Sequence, residues 1–359
     1  MTLLRESFVL FASLCHKRVV FVGLIVLFVV AGAVFGTTRG DQTGHVPPAI
    51  TPMDPNLVLG YSTCAKCHPN EIEVWKGTPH YATFEELHRR PEAKQIAQKL
   101  GVSSIKYDGR CISCHYTQKT ENGEVSAISG ISCESCHGPA KNWIDLHYNY
   151  GGAGITRESE SKEHREKRIA DSIAAGMRNP HNIYTMAQSC MKCHTVPDEE
   201  LVNVGGHSSG SLDFEMVSWS EGMVRHRFLA GGGTHNAKHT AEELNLLFVS
   251  GMIADLEFSL RATSNATSKS TYGYTVAKRA SAVAKRLASV YKKTQIPLLR
   301  EIIETYMSVP LSINNADALN DAADKIAKLG YQFAEEHTGA ELTAIQPYVP
   351  GEERWLQQQ

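Results

Sequence analysis

Little in this chain carries net charge, and little of its cysteine is spare. Its 36 basic residues nearly offset its 38 acidic ones, leaving a formal charge of −2 over 359 residues. That balance argues against a polyanion, nucleic acid included, as partner of the chain as a whole. Of nine cysteines, eight fall in four short repeats, and the ninth, Cys15, precedes an apolar segment and is read as inert. No βαβ pattern accompanies the cysteine pairs, which removes a thioredoxin-like redox protein. Beyond residues 19–36 no stretch could span a bilayer. The remaining composition, 42% hydrophobic and 21% charged, is that of an ordinary globular protein with room for one large or two modest domains.

The repeats are Cys64-Ala65-Lys66-Cys67-His68, Cys111-Ile112-Ser113-Cys114-His115, Cys133-Glu134-Ser135-Cys136-His137 and Cys190-Met191-Lys192-Cys193-His194. Two thiols at this spacing can each add to a vinyl group of one porphyrin, and the next residue then lies under the iron as proximal ligand. Zinc is the bland alternative, since Cys111/Cys114 and Cys133/Cys136 stand at a spacing suited to a four-thiolate site. Zinc gives no reason for a histidine directly after every pair. With 16 histidines in the chain, four such coincidences would arise by chance roughly a few times in a million, so the c-type haem signature prevails. Four covalently bound haems are therefore expected, attached to the eight cysteines, with His68, His115, His137 and His194 as proximal ligands.

Such attachment follows export, and the N-terminus agrees. Residues 19–36 form an uninterrupted apolar run preceded by Arg5, Lys17 and Arg18. The run is just long enough for a transmembrane anchor with residues 1–18 in the cytoplasm. Ala31-Gly32-Ala33 offers the competing reading of a cleaved signal peptide and a secreted periplasmic protein. The anchor is preferred because the segment ahead of the run is long for a signal, so a single-pass protein on the periplasmic side of the cytoplasmic membrane is expected. Residues 37–60, polar and then proline-bearing, read as a tether.

After the first repeat, Asn70 would cap a short helix over residues 71–76. Thr78-Pro79 then starts another, to about Arg90, with His80 in its first turn. A lone histidine there is usually a surface residue, but four irons needing axial ligands favour ligation. Asn122-Gly123 marks a turn in a small hairpin. His147 is a second candidate distal ligand. The mixed-charge run at residues 157–168 reads as a solvated helix face that leaves His164 at the surface. His226 follows a helical stretch at residues 214–220.

At Cys64, Cys67, His68, Trp75 and His80, in the stretch from Gly130 through Cys133, Cys136 and His137 to Pro139, and at His147, ten residues after His137, the chain resembles the tetrahaem cytochrome c-554 family. That family serves as electron acceptor of hydroxylamine oxidoreductase in ammonia oxidisers, and the resemblance covers about residues 61–230. It implies that His147 ligates the first haem, His80 the third and His226 the fourth, and that the second is five-coordinate. The spare histidines His181, His207, His235 and His239 could each close that second site. His181 is the one assigned to it. The chain departs from the family in its apolar N-terminal segment and in more than a hundred residues after the cytochrome region.

Within that extension Thr240 and Glu243 form a capping box ahead of a helix with apolar Leu244, Leu247, Phe248, Ile253, Leu256 and Leu260. A helix over residues 274–294 divides into an apolar side and a basic side bearing Lys278, Arg279, Lys285, Arg286, Lys292 and Lys293. The bland reading is a solvated face; the sharper one is a surface for an acidic redox partner or anionic lipid. Two more helices are expected at residues 298–309 and 317–336.

The expected fold is mainly α with extensive loops: a tetrahaem domain at residues 61–240, a helical, bundle-like extension at 241–340 and a tail at 341–359. The expected role is electron transfer between donor and acceptor proteins, with no catalytic residue assigned. The alternative is a reductase of a small nitrogen or sulfur oxide, such as nitric oxide or hydroxylamine, at an open second haem. The chain contains no Cys-x-x-Cys-Lys of the kind that holds a lysine-ligated catalytic haem.

Overall fold

The computed structural model describes residues 52–356; the anchor expected at residues 19–36, with all that precedes it, lies outside them. The described chain is mainly helical, as expected. Among the described residues no helix is long and apolar enough to cross a membrane.

The first half is a succession of short helices set by local signals. These are α1 (Tyr61–Cys64), α2 (Pro69–Lys76), α3 (Pro79–Glu86), α4 (Pro91–Lys99), α5 (Gly109–His115), α6 (Cys133–His137), α7 (Ile144–His147), α8 (Lys162–Ala174), α9 (Ile183–His194), α10 (Glu199–Asn203) and α11 (Met216–Glu221). Proline opens α2, α3 and α4, where its missing N–H costs nothing. Thr78 caps α3 as expected, its hydroxyl accepting from the Tyr81 N–H. Helix α2 starts earlier than expected, with His68 rather than Asn70 at the cap position. Strands β1 (Thr117–Glu121) and β2 (Glu124–Ser129) pair antiparallel around the Asn122-Gly123 turn, whose two residues take positive φ.

Four longer helices follow: α12 (Ala241–Ser264), α13 (Thr271–Thr294), α14 (Pro297–Met307) and α15 (Ala316–Glu336). The Thr240–Glu243 capping box is formed. Helix α12 is buried almost all round from Asn245 to Ser264, which makes it the axle of the molecule rather than a half-exposed helix. Leu247, Ile253, Leu256 and Leu260 of α12 share one core with Val283 and Leu287 of α13, Leu299 and Ile302 of α14, and Leu319, Ile326 and Phe333 of α15. Tyr184, Ala187 and Met191 of α9 belong to the same core. Helix α9, which ends in the fourth repeat, is thus held by buried side chains, of which a fully buried methionine such as Met191 is worth roughly 1.5–3 kcal/mol.

Two charge expectations change. Arg279 does not join the basic face of α13: it lies one turn from Val276 and Val283 on the apolar stripe, is buried, and pairs with buried Asp255 of α12 at 2.6 Å. The mixed-charge run at residues 157–168, which leads into α8, is not a plain solvated face either. Glu160 is buried, and both its oxygens accept from Arg168 at 2.7 Å while His164 Nδ1 lies 2.7 Å from one of them.

Candidate haem-binding centres

In α5, α6 and the end of α9 the two cysteines of a repeat stand three residues apart and the histidine one further on. Thiols and imidazole then rise on the same side of the helix. The first repeat reaches the same arrangement across the turn between α1 and α2. None of these eight cysteines is in a disulfide. The second and third repeats do not pool their thiols as a zinc site would need. Cys64 is instead in hydrogen-bonding reach of Cys133, and Cys114 of Cys193.

Each repeat's histidine faces one histidine from elsewhere in the chain. His68 faces His147 with ring centroids 6.5 Å apart, His115 faces His207 at 6.3 Å, His137 faces His226 at 6.1 Å, and His194 faces His80 at 6.2 Å. A metal held by two imidazoles at about 2 Å from each nitrogen, with ~1.2 Å from nitrogen to ring centre, would set the centroids ~6.4 Å apart. Ordinary aromatic packing spans about 4.5–7 Å, so one such pair would decide nothing. Four pairs within 0.4 Å of one another, each joining a repeat to a histidine outside the repeats, fit an axially ligated iron.

The surroundings also suit ligation. Nδ1 of His137 meets the Arg178 carbonyl at 3.1 Å, that of His226 the Val224 carbonyl at 2.6 Å, and that of His207 the Ser208 carbonyl at 2.9 Å. His194 Nδ1 lies 3.3 Å from the Ser211 hydroxyl, and His147 Nδ1 meets the Ile144 carbonyl. Engaging Nδ1 in this way orients an imidazole and leaves Nε2 for a metal. Burial pushes His115, His137 and His194 down to about 4 and lowers His80 and His147 as well, which keeps these rings neutral, the form that binds metal.

Two distal assignments exchange places and one moves. His80 stands opposite His194, not the third repeat's histidine: α3 packs against α5, whose Cys114 lies against Cys193 of the fourth repeat. His226 lies opposite His137 rather than His194. His181 is exposed, because the Asn179 side chain takes its backbone N–H in a turn before α9. The second repeat meets His207 instead of lacking a partner. Of the other spare histidines, His235 is exposed beside Thr234, and His239 is bonded to the Glu221 carboxylate.

Three charged residues with no signal in the sequence organise these centres. Buried Glu134, inside the third repeat, accepts from the backbone N–H groups of Leu59, Gly60 and Ala140 at 2.8–3.0 Å, tying the approach to the first repeat onto α6. Arg178 donates to the carbonyls of Ser135 and Cys136 and to the Ser189 hydroxyl, stapling α6 to α9. Arg279 donates to the carbonyls of His194 and Ser211, both at 3.1 Å. With the thiol contacts, these place the repeats side by side in the order first, third, fourth, second.

Residues 63–138 match the family described as cytochrome c554 and c-prime. Over 138 residues the chain is 31% identical to cytochrome c-554 of Nitrosomonas europaea, an alignment covering 36% of this chain and 55% of that protein. The chain thus spans little more than half the length of this curated relative. No solved structure matches.

Proposed function

We propose that this protein, which over residues 63–138 is similar to the cytochrome c-554 family, is a tetrahaem c-type cytochrome carrying electrons between two redox proteins on the periplasmic side of a membrane. Cys64/Cys67, Cys111/Cys114, Cys133/Cys136 and Cys190/Cys193 would hold the haems, with His68, His115, His137 and His194 as proximal ligands. His147 would complete the first site, His226 the third and His80 the fourth. Haem supplies a reversible one-electron store when bound. The chain would supply the ligating imidazoles, orients five of the facing rings through Nδ1, and seats the four attachment sites against one another.

The observation that carries this reading is the recurrence of one imidazole–imidazole separation at every repeat. The apolar run at residues 19–36 would tether the protein, and the mass of the mature chain tests that part; a chain starting near Val34 removes the tether. The reading as a whole is tested on protein matured with its haems. Pyridine haemochrome and iron assays should count four haems per chain, with a Soret band that shifts on reduction and recovers on reoxidation. A colourless or zinc-bearing product would overturn it.

A further inference from the structure

We infer that His207 is the sixth ligand of the second haem, so that no iron in this protein keeps an open coordination position. The inference rests on the tetrahaem reading and departs from the five-coordinate second site that the family resemblance implies.

The ring of His207 lies 6.3 Å from that of His115, within the range of the other three pairs. The loop that carries it is fixed at both ends. At its start, the N–H groups of Gly205, Gly206 and His207 donate back to the carbonyls of Glu200, Val202 and Leu201 at 3.1 Å, closing the end of α10. At its end, the Ser211 N–H donates to the His194 carbonyl, and Arg279 donates to both the Ser211 and His194 carbonyls. Gly210 lets this closure happen: a Cβ there would stand 2.6 Å from the His194 carbonyl oxygen. This glycine- and serine-rich loop is therefore a bracket between α10 and the fourth repeat. The His207 ring is oriented in turn by its Nδ1 contact with the Ser208 carbonyl.

The chemical consequence is exclusion. Nitric oxide, carbon monoxide or hydroxylamine would have to displace an imidazole to reach any of the four irons, which suits a carrier and disfavours a reductase at the second site.

The test compares matured wild-type protein with His207→Ala and His181→Ala by EPR of the oxidised state and carbon monoxide binding in the reduced state. Wild type and His181→Ala should show only low-spin haem and no prompt binding of carbon monoxide. His207→Ala should turn one of four haems high-spin and carbon monoxide-reactive, and millimolar imidazole should restore the low-spin signal. Restoration also separates a lost ligand from a misfolded variant. A high-spin haem in wild type, or a His207→Ala variant that stays fully low-spin, would overturn the inference and leave the carrier reading standing. Absence of a Soret band in every variant would instead remove the carrier reading beneath it.

Discussion

Replacing Arg279 by methionine should destabilise the protein by about 3 kcal/mol, because losing one member of a buried ion pair costs roughly 3–5 kcal/mol. The pair is well buried, with side-chain exposures of 6% for Arg279 and 5% for Asp255. Two features set the value within that range. Arg286, half exposed and 3.7 Å from the second Asp255 oxygen, can partly serve the orphaned carboxylate and pulls the cost to the lower end. The lost donors to the His194 and Ser211 carbonyls push it back up, at about 0.5–1.5 kcal/mol for a typical hydrogen bond. Guanidinium unfolding of the oxidised holoprotein, followed by far-ultraviolet circular dichroism, reads the loss. The double variant Arg279→Met with Asp255→Leu should recover most of it, since replacing a whole buried pair with apolar groups is often neutral. A single variant within about 1 kcal/mol of wild type would refute the reasoning, that being the size of an ordinary surface interaction. A double variant no better than the single would place the cost in the carbonyl contacts and refute the role given to the charge pair.

Hydrogen bonds from Arg168 hold the Glu160 carboxyl down to about 2, so its contribution is complete above the ordinary carboxylate range and lost as pH falls from there towards 2. Arg168 also donates to the His147 carbonyl, so the denaturation midpoint of wild type should fall over that interval while that of Glu160→Gln, lower at neutral pH, changes less; parallel profiles would reject the link. Glu134→Ala strips the acceptor from three backbone N–H groups and should cost about 3 kcal/mol or more in chemical denaturation, since each buried donor left unmet costs roughly 1–3 kcal/mol. Charge reversal at Lys285 and Lys292 should slow association with an acidic redox partner severalfold at low salt and little at high salt in stopped-flow measurements, and an unchanged low-salt rate would reject electrostatic steering.

What the sequence made legible was chemistry confined to a few adjacent residues. The four repeats, the Asn122-Gly123 hairpin turn, the Thr78 cap and the Thr240–Glu243 capping box all depend on contacts within one turn of chain. Which histidine meets which depends on how distant segments return, and no local pattern records that α3 comes back to the fourth repeat or that the segment after α11 reaches the third. His207 stood in the sequence among four spare histidines that could each close the second site, and the glycine and serine around it carry no helical or capping pattern that would single it out. Glu134, Glu160, Asp255 and Arg279 were hidden by their charge, which ordinarily marks solvent. Each is buried beside donors or an opposite charge that only the tertiary structure supplies.

The extension contains no cysteine, yet on the proposed carrier reading its position would give it a part in electron transfer. Helix α13 has one side turned inward, where Arg279 touches the carbonyl of the fourth repeat's histidine, and an outer side where Lys278, Lys285, Lys292 and Lys293 are exposed. With side chains, a helix is about 10–12 Å across, so a protein seated on the outer side would come within one helix of the fourth centre. No acidic residue occurs between Glu257 and Glu301 to offset the basic field along that helix. The fourth repeat also ends α9, whose Tyr184, Ala187 and Met191 are built into the large apolar core. Close approach, a basic outer side and a rigid seat therefore coincide at the fourth centre, and on the proposed carrier reading this favours it over the first, which rests on short helices at one end of the row of repeats, as the place where a partner on α13 would exchange electrons.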